Sequence, residues 1–118
     1  MPLAAIVFPI APGKTEQWRN FIGELNGSRF EDFKASRQGV GLHERTFLQS
    51  TPMGDLVIVT IEGDDPMASF GRLTQMHDEF SEWFIAQASE AHGFDMSAPP
   101  AGPMPELVVD SERAVVPA

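Results

Sequence analysis

Two strand-like runs joined by a short turn constrain the fold of this chain more than any other stretch. The runs are Val40–Gln49 and Leu56–Glu62, and a Thr-Pro-Met-Gly segment, Thr51–Gly54, separates them. Both runs are rich in the β-branched and apolar residues that favour strands, and the Pro and Gly between them favour a turn. The stretch Gly39–Asp65 is therefore predicted to be an antiparallel β-hairpin.

The charges of the hairpin indicate its register. If the turn pairs Ser50 with Asp55, then His43 lies opposite Glu62, and opposite residues project from the same side of a sheet. A slip by one residue would place Glu44 against Glu62, an unfavourable pair of like charges. The face that we expect helices to cover comprises Leu42, Thr46, Leu48, Val57, Val59 and Ile61. The other face mixes apolar and polar side chains: His43, Arg45, Phe47, Gln49, Leu56, Ile58, Thr60 and Glu62.

The segment before the hairpin contains a strand and helical sequence. Leu3–Ile10 is a short run that is apolar on both faces, which favours a strand covered on both sides. From Lys14 the apolar residues recur at helical spacing, with Trp18 at the start of the stripe. The Asn-Gly-Ser sequence at 26–28 interrupts this spacing, so we expect either one bent helix or two consecutive helices.

The segment after the hairpin contains two more helices. Asp65 and Pro66 are typical of an N-cap followed by the first helical residue. A further helix is predicted from about Asp78, and Gly93 is suited to terminate it in a left-handed conformation.

A proline-rich segment follows the last helix. Asp95–Pro105 is predicted to be an extended arm, Glu106–Asp110 a short terminal strand, and Ser111–Ala118 a loose tail. We therefore expect one domain over residues 1–118, with its core in residues 3–94, because a chain of this length cannot give two domains a proper core each.

Composition excludes several classes of function. The chain has no cysteine, which removes disulfides, thiolate catalysis and Cys-ligated zinc and makes the cytoplasm the default compartment. Its net charge of −9 disfavours binding to nucleic acid. Since no stretch approaches the roughly 18 apolar residues of a membrane span, we expect no membrane association. The N-terminal apolar run lacks a basic region and is predicted to be a strand, not a signal peptide.

The element order is β-α-β-β-α-β, the ferredoxin-like arrangement. This order resembles that of the dimeric α+β barrel superfamily, which includes antibiotic-biosynthesis-monooxygenase-like proteins. Two stretches carry the resemblance further, GVGLHERTFLQ…GDLVIVTIEGDDP and EFSEWF…HGFD. Together they are most similar to an uncharacterised bacterial branch of the superfamily. The resemblance implies a four-stranded antiparallel sheet with helices on one face, and a homodimer formed through the bare sheet faces. It also implies a small apolar or aromatic ligand in or beside the barrel.

The resemblance does not extend to a cofactor. Haem-degrading members of the superfamily share an Asn on the first strand, a Trp, and a His on the second helix. Here Leu3–Ile10 contains no Asn, and His77 and His92 lie near helix ends. We predict no cofactor.

The mixed face of the hairpin holds the strongest candidate site. His43 and Glu62 are candidate acid/base groups, because a carboxylate beside an imidazole orients it, and Arg45 could hold a carboxylate or enolate oxygen. The alternative is an ordinary strand-end pair with Arg45 in a salt bridge between subunits. Further candidate ligand-binding residues are Phe47, Gln49, Ile58 and Thr60 on this face and Trp18, Trp83 and Phe84 on the helices, although helical aromatics are more often simply core.

The remaining charged clusters favour structural roles. His77, Asp78 and Glu79 are adjacent, but neighbours on a helix point in different directions, so capping is expected and no metal site is predicted. His92 is expected to contact carbonyl groups at the end of its helix.

Three functions therefore stay open. The first is a homodimer that binds a small, partly apolar ligand. The second is a cofactor-independent monooxygenase or isomerase acting on an aromatic or carbonyl substrate, with His43 as acid/base. The third is a structural or stress-associated dimer without a ligand. In each case the arm 95–105 is predicted to lie along the partner subunit and stabilise the pair.

Overall fold

Three strands and four helices form the part of the chain that the structure, a computed structural model, describes: residues 2–98 and 104–116. The strands are β1 (Leu3–Pro9), β2 (His43–Thr51) and β3 (Gly54–Glu62). The helices are α1 (Thr15–Leu25), α2 (Phe30–Gly39), α3 (Pro66–Leu73) and α4 (Glu79–His92). The sheet is antiparallel with the order β1-β3-β2, so the hairpin is extended by the N-terminal strand.

The predicted register of the hairpin is confirmed. Ser50 pairs with Asp55 and His43 with Glu62. β1 adds to the other side of β3, with Leu3 also opposite Glu62. Because side chains alternate along each strand, β1 contributes Leu3, Ala5, Val7 and Pro9 to the mixed face of the hairpin. We call this surface of the three strands the open face.

The helix boundaries follow the predicted caps. The sequence 26–28 separates two consecutive helices, α1 and α2. The Asp65 carboxylate accepts a hydrogen bond from the backbone N–H of Ala68 at the start of α3. Gly93 ends α4 with a φ of 77°, a left-handed conformation that glycine adopts without a Cβ penalty.

The core lies between the helices and the covered face of the sheet. The strands contribute Ile6, Val57, Val59 and Ile61, and the helices contribute Trp18, Phe21, Leu25, Leu73, Phe80, Ala88 and Ala91. The predicted helical stripe that starts at Trp18 is thus buried. Thr46, predicted to be covered, is exposed, since β2 is an edge strand.

Two predictions about strands are wrong for the described chain. The sheet has three strands and not four, because Glu106–Asp110 pairs with no strand among the described residues. A short apolar run becomes a strand only where a sheet edge accepts its hydrogen bonds, and here none is reached. β1 is covered on one side only, and Leu3 and Val7 are exposed on the open face. Part of the predicted arm, residues 99–103, lies outside the described residues.

Among the described residues, no helix combines the length and the apolar character needed to cross a membrane.

Candidate functional site

The register brings the strand candidates together on the open face. His43, Arg45, Phe47 and Gln49 project from β2, and Ile58, Thr60 and Glu62 project from β3. The direct pairs are His43 with Glu62, Arg45 with Thr60, Phe47 with Ile58, and Gln49 with Leu56. A polar end at His43 and Glu62 thus grades into an apolar middle at Phe47 and Ile58.

Glu62 is the centre of the polar end. Its Oε1 accepts a hydrogen bond from Arg45 Nη1 at 2.8 Å and lies 3.8 Å from His43 Nδ1. The hydrogen bond from Arg45, reinforced by the charges of Arg45 and His43, lowers the pKa of the Glu62 carboxyl below its ordinary value. Glu62 is therefore an ionised carboxylate at neutral pH that holds Arg45 by a hydrogen bond and lies close to His43.

A surface depression of about 370 Å³ adjoins this polar end. Gln38, Gly41, Leu42, His43 and Glu62 line it. Its volume lies within the range of roughly 300–1,000 Å³ that small-molecule sites occupy. The predicted acid/base pair, His43 and Glu62, thus borders a depression large enough for a small molecule.

The apolar part of the open face is uncovered in the single chain. Phe47 of β2 is 54% exposed, and Leu3 and Val7 of β1 are exposed on the same face, across β3. Ile58 and Leu56 are half-buried between these residues. Exposed apolar side chains on one contiguous sheet surface are typical of an interaction site.

The helix candidates are not brought to the same place. Trp18, Trp83 and Phe84 lie on the covered side of the sheet, among the core side chains. Phe84 stacks on Phe33, with the ring planes 5° apart and the centroids at 6.1 Å. Trp83 also lines an open groove of about 600 Å³ on the helix surface, with Gln17, Asn20 and Gln87. The sheet therefore separates these aromatic residues from His43 and Arg45.

A buried ion pair on the covered side was not predicted. Arg37 Nε donates a hydrogen bond to Glu44 Oε1 at 2.7 Å, and the two side chains are only 8% and 5% exposed. The guanidinium also packs against Phe33 and Phe84, with its central carbon 4.7 and 4.4 Å from their ring centroids. The register places Glu44 opposite Ile61 on the covered face, and that position alone would have indicated the need for a buried cation.

Arg29 links the helices in a similar way. Its two terminal nitrogens each donate to one Glu79 oxygen at 3.0 Å, and its guanidinium lies over Trp83 at 4.3 Å. Its Nε is buried with no hydrogen-bond partner among the described residues. Arg29 and Arg37 therefore each combine an ion pair with packing against the aromatic core.

The remaining candidate clusters have structural roles. Asp78 caps α4, as predicted, and accepts hydrogen bonds from the N–H and hydroxyl of Ser81. These bonds lower the pKa of the Asp78 carboxyl. No three potential metal-ligating side chains come together within residues 2–98 and 104–116.

The predicted contact of His92 with the carbonyl groups at the end of its own helix is wrong. His92 Nδ1 lies 2.8 Å from the carbonyl oxygen of Pro9 in β1, instead of contacting its own helix end. The ring is buried beside Phe8 and Phe94, and this burial lowers the pKa of the imidazole. No sequence pattern signalled a contact between residues so far apart along the chain.

Comparison with known proteins gives one informative likeness. No family model matches the sequence, and no curated protein matches it. A solved structure of tetracenomycin F2 cyclase from Streptomyces glaucescens, a type-II polyketide cyclase, is similar, with a TM-score of 0.50. The two chains are 19% identical, and the match covers 91% of this chain and 87% of the cyclase chain. The likeness shows that this chain shares its overall fold with the cyclase chain.

Proposed function

We propose that the protein is a homodimer that binds a small, partly apolar ligand beside its paired open faces. The observation that carries this proposal is the open face itself, where Phe47 is 54% exposed on the same surface as the Arg45–Glu62 ion pair. Small-molecule sites combine apolar surface with a few fixed polar groups in this way. We place the dimer in the cytoplasm, the default compartment for a chain without cysteine.

The apolar half of the open face supports the dimer. Leu3, Val7 and Phe47 are exposed in the single chain, and all project from the same side of the sheet. A second copy packed about a two-fold axis covers this surface with its own open face. The same apolar side chains are then buried in both subunits. Two such sheets together form the walls of a barrel.

The polar end indicates the chemistry of the ligand. Arg45 uses Nη1 for Glu62, and a guanidinium has five N–H donors in a planar fork. The remaining donors suit a carboxylate, carbonyl or enolate oxygen. An aromatic portion of the ligand would lie over Phe47 and Ile58, with Gln49 and Thr60 available for hydrogen bonds along the same strands.

The dimer is tested by placing a charge on the apolar surface. Phe47→Asp should raise the dimer dissociation constant by about 30-fold or more, the effect of losing an interface hot spot worth about 2 kcal/mol. Sedimentation velocity over a concentration series measures this change. Phe30→Asp is the matched control, because Phe30 is exposed on α2, away from the open face. A dimer that survives Phe47→Asp unchanged contradicts the proposal.

Ligand binding is tested by thermal stability with defined probes. Haem, flavin mononucleotide, menadione and 4-hydroxybenzoate cover the aromatic, quinone and phenolic-acid classes. A ligand at a hundredfold excess over its Kd stabilises the folded state by about 2.7 kcal/mol. Arg45→Ala should remove the stabilisation, whereas Arg113→Ala, in the exposed C-terminal segment, should preserve it. If no probe stabilises an intact dimer, the structural dimer without a ligand is favoured.

Acid/base catalysis is the second candidate function. It is favoured by the 3.8 Å approach of His43 Nδ1 to Glu62 and by the likeness to a polyketide cyclase. Held by Glu62, His43 would move a proton at carbon or oxygen of an aromatic or carbonyl compound, as in a cofactor-independent monooxygenase or isomerase. His43→Ala should then abolish conversion of a bound probe, followed by chromatography, while the thermal stabilisation by that probe persists.

A further inference from the structure

Among the described residues, the outer edge of β1 offers a row of backbone groups without a hydrogen-bond partner. Ile10 N–H donates to Asp55 O at 3.0 Å, and Gly63 N–H donates to Pro2 O at 3.1 Å. In an antiparallel ladder such bonded pairs recur at every second residue, so Ala4, Ile6 and Phe8 also bond to β3. The N–H and C=O groups of Leu3, Ala5 and Val7 therefore point away from β3, towards the free edge.

Pro9 limits this free edge. It has no N–H to donate, and its carbonyl already accepts the hydrogen bond from His92 Nδ1. The open part of the edge is thus Leu3–Val7, an uncharged stretch without a bulge or a lysine to block pairing. Such an edge accepts a further strand of about the same length.

The C-terminal segment supplies a strand of that length. Glu106–Asp110 has the sequence ELVVD, and Leu107, Val108 and Val109 are 58%, 71% and 77% exposed. Met104, just before it, packs against the core, so the segment begins close to the folded body of the protein. β-Branched and apolar side chains of this kind are stable in a strand and unfavourable in water.

We propose that Glu106–Asp110 of one subunit pairs with the Leu3–Val7 edge of β1 in a second copy of the chain, and so provides the fourth strand in trans. The inference rests on the proposed homodimer. In the single chain the segment does not pair with its own β1, although both are present among the described residues. In the dimer, alternate side chains of the added strand join Leu3 and Val7 on the open face, so strand addition extends the same interface.

The added strand also borders the candidate site. Leu3 pairs with Glu62, so a strand beside Leu3 lies two strand spacings from the Glu62 backbone, about 10 Å. The partner's segment would then close the β1 side of the surface on which the ligand lies. Dimerisation and completion of the site are one event in this arrangement.

Disulfide trapping tests the pairing cleanly, because the chain has no cysteine of its own. Ala5→Cys is combined in turn with Leu107→Cys, Val108→Cys and Val109→Cys, since only a partner on the same face of the strand can be bridged. After mild oxidation, non-reducing electrophoresis should show a covalent dimer for at least one pair. Ala5→Cys with Val116→Cys, which lies beyond the segment and is exposed, and the single variants are the controls.

The outcomes separate this inference from the proposed function. A covalent dimer specific to the segment pairs supports strand addition in trans. A disulfide within one chain, or no disulfide, in a protein that sediments as a dimer overturns the inference and preserves the proposed homodimer. A protein that sediments as a monomer before oxidation at all concentrations overturns both.

Discussion

The two faces of the sheet use the same kinds of residue in opposite ways, and neighbours on β2 show it. Glu44 points to the covered face, where its ion pair with Arg37 leaves side-chain exposures of only 5% and 8%. Arg45 points to the open face, where it and Glu62 are 51% and 34% exposed. The covered pair is sealed under helices and cannot reach a ligand. The exposed pair adds little to stability and keeps its donors available.

The aromatic residues differ between the faces in the same way. On the covered face, Phe33 and Phe84 pack against Arg37 within the core. On the open face, Phe47 is the large aromatic residue and has no comparable aromatic or cationic contact among the described residues. The covered face is a packed core, whereas the open face leaves Phe47 exposed among the described residues. We attribute stability to the first, and the proposed ligand site lies on the second.

The largest expected effect comes from breaking the covered ion pair. Glu44→Ala leaves the Arg37 guanidinium buried without its carboxylate and should lower the free energy of unfolding by about 3–5 kcal/mol. Glu62→Ala removes the corresponding carboxylate of the open face and should leave the unfolding midpoint almost unchanged. Urea denaturation followed by circular dichroism measures both.

A double variant shows whether burial is the cause. Arg37→Met combined with Glu44→Leu replaces the pair by apolar side chains of similar size, so it should recover most of the stability lost in Glu44→Ala. If Glu44→Ala and Glu62→Ala cost the same, the contrast between the faces is wrong. If the double variant is as unstable as Glu44→Ala, the cost lies in packing and not in an unpaired charge.

Local chemistry made the hairpin and the helix ends predictable from sequence. The register followed from the like charges that a slip would oppose at Glu44 and Glu62, and the caps at Asp65 and Asp78 followed from their acceptor side chains. The fourth strand was not predictable, because whether Glu106–Asp110 pairs depends on which edge it meets and not on its own composition.

The candidate site was predictable only in part, for the same reason. His43, Arg45 and Glu62 come from one hairpin, so local register was enough to bring them together. The helical candidates Trp18, Trp83 and Phe84 required knowledge of which side of the sheet the helices cover. The contact of His92 with Pro9 joins the two ends of the fold, and local periodicity carries no information about such a pairing.

A smaller effect is expected where the end of β3 meets the start of β2. A Cβ added to Gly63 would lie 2.6 Å from the carbonyl oxygen of Gly41, so the backbone would have to move. Gly63→Ala should therefore lower the free energy of unfolding by about 1–3 kcal/mol. Because His43 and Glu62 lie next to these glycines, the shift should also weaken binding of any probe that stabilises the wild type.

The matched control for this variant is Gly71→Ala in α3. A Cβ there meets nothing within 4 Å, so the change should stabilise the helix by about 0.5–1 kcal/mol and leave probe binding unaltered. Thermal unfolding with and without the probe gives both quantities. Equal responses of the two variants would show that the close approach at Gly63 does not hold the polar end of the open face in place.

The smallest expected effect concerns the histidines, which also differ between the faces. His92 is buried near the covered side, and this burial lowers its pKa, whereas His43 is exposed on the open face. The unfolded chain therefore binds a proton at His92 more readily than the folded chain does. The stabilisation due to neutral His92 is fully present above the unfolded pKa of about 6.5 and is lost as the pH falls below it.

Urea midpoints measured between about pH 5 and pH 8 test this dependence. His92→Gln should flatten the decline of stability on acidification more than His77→Gln, which removes an exposed histidine and leaves the contact with Pro9 intact. The lowered pKa values of Glu62 and Asp78 also cost stability in acid, but only below their ordinary values near 4.5 and 3.8, outside this window. If both variants keep the wild-type dependence of the urea midpoint on pH, burial of His92 does not couple folding to pH near neutrality. The two faces would then not differ in this property.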